Sequence, residues 1–82
     1  MAIDDLIMLM ERFVAGEAMT LRDANTLEGA LDEWVPEHPH LEDLIGDLAQ
    51  YMPGGGEFLY DYSRMKPIVA HHLKLLRERL AR

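Results

Sequence analysis

The chain has 82 residues, 49% of them hydrophobic, which suits one compact domain and excludes a disordered segment. With no cysteine, it has neither a disulfide framework nor a thiolate metal site to hold it together. Its net charge of -7 divides into -10 over residues 1–52 and +3 over residues 53–82, where the cations gather in the final turns, and so it lacks the basic stripe of a nucleic-acid binder.

The first helix is predicted over residues 4–15. Leu6, Ile7, Met10, Phe13 and Val14 share one helical face, Asp4 and Asp5 suit its positive end, and Gly16 suits the position just past its C-terminus. The second helix is predicted over 20–35. Thr20 and Asp23 have capping-box spacing, and Ala24, Leu27, Leu31 and Trp34 form one narrow apolar stripe. Pro36 ends it, because the residue before a proline avoids helical geometry.

"PEHPH" then reads as a rigid connector. A third helix over 40–52 follows, burying Leu41, Leu44, Ile45, Leu48 and Met52, with Gly46 read as a point where another helix comes close. The segment "YMPGGGEFLYDY" (51–62) is the one non-helical stretch. Pro53 stops the third helix, and the glycines allow the positive φ angles of a reversal. Glu57 directly after those glycines would repel a phosphate, which argues against a phosphate-binding loop. Phe58 is expected to cover the core, whereas Tyr60 and Tyr62 either close the bundle end or present an aromatic contact.

The fourth helix is predicted over 64–81, with Ser63 as its N-cap and Pro67 in its first turn or marking its start. Met65, Ile68, Val69, Leu73, Leu75, Leu76 and Leu80 give it a broad apolar arc, so it should be the most buried of the four. No segment alternates with the period of a strand. The expected fold is all-α, a small four-helix antiparallel bundle forming a single helical domain over 1–82. Phe13, Leu27, Leu31, Leu44, Leu48, Val69 and Leu76 should pack around Trp34.

Several function classes drop out. The opening "MAIDDLIMLMERF" has aspartates where a signal peptide has basic residues, and no apolar run is long enough to span a membrane; a cytoplasmic protein without membrane contact is expected. The single serine, in "DYSRM", lacks the aspartate-serine-leucine signature of acyl carrier proteins and reads as a cap rather than a nucleophile. The carboxylates lie on solvated faces, so no enzyme and no cofactor are expected.

His38 and His40 flank a proline, and His71 and His72 are adjacent, about 100° apart on a helix. His72 is read as a packing residue. The metal alternative would take one histidine from each pair together with Glu37, and no metal site is assigned.

The acids remain. Glu28, Asp32 and Glu33 on the second helix, and Glu42, Asp43 and Asp47 on the third, lie off the apolar stripes with few basic residues among them. They are read as a negative patch for a basic protein partner, with Tyr60 or Tyr62 as an aromatic anchor at its edge. The alternative is a scaffold acting as a homodimer, its excess apolar surface (Met8 and Leu9 among it) buried between copies and its acids only solubilising.

"MERFVAGEAMTLRDANTLEGALDEW" (Met10–Trp34) and "LEDLIGDLAQYMP" (Leu41–Pro53) resemble the colicin D type of bacteriocin immunity proteins. The carrying features are a helix ending in Phe13, the Gly16-Glu17 pair, a second helix opened by Thr20, and a helix running into a tyrosine-proline corner. The resemblance implies a helical bundle that binds a cognate nuclease toxin and masks a basic cleft meant for transfer RNA. The "EFLYDY" corner and the basic last turn depart from that pattern, so the expected contact residues come from the charge pattern.

Overall fold

The computed structural model describes residues 1–57 and 59–82, and the expectation for Phe58 lies outside them. Four helices are present among the described residues: α1 (Ile3–Val14), α2 (Leu21–Trp34), α3 (Leu41–Leu48) and α4 (Tyr62–Leu80). Each packs against two others, α1 on α2 and α4, and α3 on α2 and α4, which closes a four-helix bundle.

Its antiparallel sense follows from what meets at each end. The Met1 amine at the start of α1 reaches Glu33 near the end of α2, and Arg79 near the end of α4 reaches His38 between α2 and α3. At the opposite end, Tyr62 at the start of α4 reaches the carbonyls of Phe13 and Val14 at the end of α1.

Local chemistry sets the first two helices where the sequence places them. At the end of α1, Gly16 takes φ 80°, its N–H donates to the Phe13 carbonyl, and the Glu17 N–H donates to the Arg12 carbonyl. That is a Schellman closure, and its left-handed position is the reason for glycine there. At the start of α2 the capping box is complete. The Asp23 N–H donates to Thr20 Oγ1 at 3.0 Å, and the Thr20 N–H donates back to Asp23 Oδ2 at 3.2 Å. The Thr20 hydroxyl, which donates to Asp23 Oδ2 at 2.7 Å, and then the Thr20 N–H hold the Asp23 carboxyl below its ordinary pKa.

The core contains Leu6, Met10, Phe13, Leu27, Leu31, Leu41, Leu44, Leu48, Met65, Val69 and Leu76, all at most 1% exposed. The seven residues expected around Trp34 are among them, and Trp34 packs against this cluster while partly exposed.

Four expectations need correction. First, α3 stops at Leu48, and Met52 is exposed. The Gln50 and Tyr51 N–H groups turn back to Asp47 and Leu48, and Met52 N–H donates to the Tyr60 carbonyl instead of continuing the helix. Tyr51, three residues past Leu48, takes the buried position.

Second, α4 begins at Tyr62 with Asp61 as its cap, the Arg64 N–H donating to Asp61 Oδ1 at 2.9 Å; Ser63 lies within the first turn. Third, Pro67 therefore falls in the second turn, where it leaves the Ser63 carbonyl without its helical donor. Fourth, a Cβ on Gly46 would meet nothing within 4 Å, so no helix approaches it.

Candidate functional site

The glycine corner is a closed loop rather than a ligand cradle. Tyr51 and Tyr60 form an isolated parallel bridge, with Met52 N–H donating to the Tyr60 carbonyl and Tyr60 N–H to the Gln50 carbonyl. Behind it, Phe13 sits between two tyrosine rings, 5.4 Å from Tyr51 and 5.3 Å from Tyr62. Both hydroxyls point inward, Tyr51 donating to the Met19 carbonyl and Tyr62 to that of Phe13. Burial raises the Tyr51 pKa, with the Tyr62 ring adding to it.

Tyr62 is thus a structural strut between α4 and α1. Tyr60 is half-buried, with the Arg64 guanidinium 4.2 Å from its ring centroid. Both lie at the α1 C-terminal end of the bundle, whereas the α2 C-terminus and the α3 N-terminus form the other end. Of the six acids, Asp47 is one residue from the end of α3 that meets this corner, whereas Glu33 and Glu42 stand at the other end of the bundle.

Of the six acids, Asp32, Glu33, Glu42 and Asp43 are exposed, and Glu28 and Asp47 are half-buried. Partial burial raises the Glu28 pKa. Glu33 is paired with the Met1 amine at 3.0 Å, on the flank toward α1. Asp43 and Asp47 both act electrostatically on His72, which places them toward α4.

Among the described residues the other ion pair is Arg77–Glu11 at 3.1 Å, so no lysine or arginine neutralises the remaining five. Two like-charged pairs, Glu28/Asp32 and Asp43/Asp47, stand one helical turn apart. Each such pair costs a helix a few tenths of a kcal/mol. Five of the six acids thus have no ion-pair partner among the described residues.

Sequence reasoning joined the two histidine pairs only in the metal alternative with Glu37, since the connector and α4 are some thirty residues apart in the chain. In the fold His40 and His72 lie with ring centroids 6.0 Å apart and planes 9° from parallel. His38 is 6.2 Å from His40, and His71 is 5.7 Å from His72. No group of three or more histidines and carboxylates among the described residues is arranged to hold a metal ion, and Glu37 contributes its carbonyl, not its carboxylate, as an acceptor for Arg79.

Two recesses mark the surface of the described residues. An open apolar groove of about 440 Å³ runs between α1 and α4 past Val14, Ala70, Leu73 and Ala81, with Lys74, Arg77 and Glu78 at its rim. A smaller one of about 240 Å³ adjoins His40. No helix among the described residues is long and apolar enough to cross a membrane. Comparison of the chain with protein-family models, curated proteins and solved structures gives no match.

Proposed function

We propose that this protein is a non-enzymatic binding module that docks on a basic protein through the acidic α2–α3 face. The observation that carries the reading is the pair of like-charged helical turns, Glu28/Asp32 and Asp43/Asp47, left without neutralising cations. The fold pays a small stability cost for them, and a basic partner would repay it by desolvating and pairing those carboxylates.

The most concrete partner is a bacteriocin-type nuclease toxin, whose RNA-binding cleft presents phosphate-like demand for negative charge. The resemblance of Met10–Trp34 and Leu41–Pro53 to colicin D-type immunity proteins supports that choice. Tyr60 is the candidate aromatic anchor at the Asp47 edge of this face, since the Tyr62 hydroxyl is bonded to α1.

The test is a capture from the native host together with the reading frame adjacent to the gene, followed by kinetics. Association should slow steeply as salt rises while dissociation changes less. Reversal of Asp32, Asp43 and Asp47 to lysine should abolish capture. Capture that survives the triple reversal would reduce the acids to a solubilising coat.

A second reading has its own observation. Met19, Leu21, Met52 and Leu59 are exposed, and all belong to the loop end of the bundle, where the Tyr51–Tyr60 bridge sits. A homodimer closed through that end would bury them, with the acids left outward. Sedimentation at micromolar concentration separates the two: a dimer dissociated by Met52→Glu with Leu59→Glu favours the scaffold, and a sharp monomer removes it.

A further inference from the structure

All four histidines of the chain meet at one junction, where the α2–α3 connector lies against α4. His72 on α4 is 8% exposed, and His40 at the head of α3 is half-buried. Both ring nitrogens of His40 and Nδ1 of His72 are shielded from solvent and have no hydrogen-bond partner among the described residues.

The side-chain hydrogen bonds that tie the connector to α4 both come from Arg79: Nε donates to His38 Nδ1 at 3.1 Å, and Nη2 to the Glu37 carbonyl at 3.3 Å. We infer that this junction is an acid-released latch, in which uncharged imidazoles at His38, His40 and His72 clamp the connector to α4 and their protonation lets it go.

The chemistry acts at both halves of the junction. His38 Nδ1 accepts from Arg79 only while it carries no proton; once protonated, it loses that bond and sets a second positive charge beside the guanidinium. An imidazolium at His40 would have two N–H donors with nothing to receive them, and buried donors are costly to leave unmade.

The surrounding charges mostly oppose protonation at His40: Arg79 and His72 on α4 and His38 on the connector, against Asp43 on α3. Glu78, Arg79 and Arg82 of α4 line the recess beside it. At His72, His71 opposes a proton while Asp43 and Asp47 favour it. Burial is the largest influence on both rings and holds both below the ordinary histidine pKa, so a proton enters most readily when the junction opens.

Opening should be local. The other end of the bundle is held by Phe13 between Tyr51 and Tyr62, with no histidine among them. The latch needs no partner, so it stands or falls apart from the docking reading.

Trp34 is the chain's single tryptophan and lies 6.4 Å from the His38 ring, which makes it a reporter of the junction. The intact protein is titrated from about pH 7.5 to about pH 5, following Trp34 emission and far-UV circular dichroism together. The expected result is a shift of emission to longer wavelength while the helical signal keeps most of its amplitude. His40→Leu combined with His72→Leu should cut the shift to the share His38 carries, and exposed His71→Gln should retain it in full.

Should the double variant not fold, His38→Gln alone is expected to cut the shift by at least about half. An emission that does not change with pH overturns the latch. So does a single transition in which emission and helicity are lost together, or a shift of full size in the His38→Gln protein.

Discussion

Tyr62 does two jobs with one side chain. Its ring packs on Phe13, and its hydroxyl serves carbonyls that the end of α1 leaves without helical donors. Tyr62→Phe keeps the packing and deletes the bond, so it should cost about 0.5–1.5 kcal/mol in urea unfolding. Leu48, 1% exposed where α3 meets the core, is a different kind of position. Leu48→Ala leaves a cavity as well as losing transfer energy, for an expected loss of about 2–5 kcal/mol. Gly46 is the opposite case, exposed and with open space around it. Gly46→Ala should therefore stabilise the protein by up to about 1 kcal/mol, read as a rise in the urea midpoint without a change in slope.

Among the helices, α2 offers the clearest separation of stability from binding. Asp32→Lys replaces a like-charged turn with Glu28 and Lys in the favourable order. The free protein should gain about 0.2–0.5 kcal/mol, while affinity for a basic partner falls. A variant that loses stability and binding together would point to a structural role for Asp32 instead. The boundaries of α1 and α2 were legible in the sequence because their stop and start signals, Gly16 and the Thr20/Asp23 box, act through backbone groups a few residues away. The end of α3 was not legible. It is set by Tyr60, twelve residues downstream of Leu48, whose carbonyl accepts from the Met52 N–H and whose N–H donates to the Gln50 carbonyl. The 3-4-3 spacing of Leu41, Leu44, Leu48 and Tyr51 did carry the signal for the buried tyrosine, but Met52 at the alternative spacing masked it. The acids were legible as charges, but not the flank each would face, because only packing turns Asp43 and Asp47 toward α4 and Glu33 toward α1.

For the molecule as a whole, pH is the sharpest probe. His40 and His72 both titrate below the ordinary histidine value in the folded state, mainly because burial penalises the charged ring. Well above that ordinary value the ring is neutral in both states and adds no pH dependence. As pH falls through it, the unfolded chain takes up protons that the folded protein refuses, so unfolding becomes easier. The loss grows until pH passes below the lowered folded values. The urea midpoint should therefore be lower at about pH 5.5 than at about pH 7.5, and the difference should shrink in His72→Leu. Ionic strength varied at fixed pH probes the acidic residues separately from the histidines.

The bridge between Tyr51 and Tyr60 has a consequence for engineering. It fixes both roots of the glycine corner, while Pro53 and Gly54 between them are exposed and Gly54 has open space around it. The corner is therefore a natural splice point for foreign sequence. A short flexible peptide placed after Gly54, upstream of the positive-φ glycines Gly55 and Gly56, lengthens a loop whose closure is already secured. Each doubling of such a loop costs only about 0.6 kcal/mol. An epitope or fluorophore-bearing graft at that point should leave the melting profile close to that of the parent, with the histidine junction untouched at the far end of the bundle.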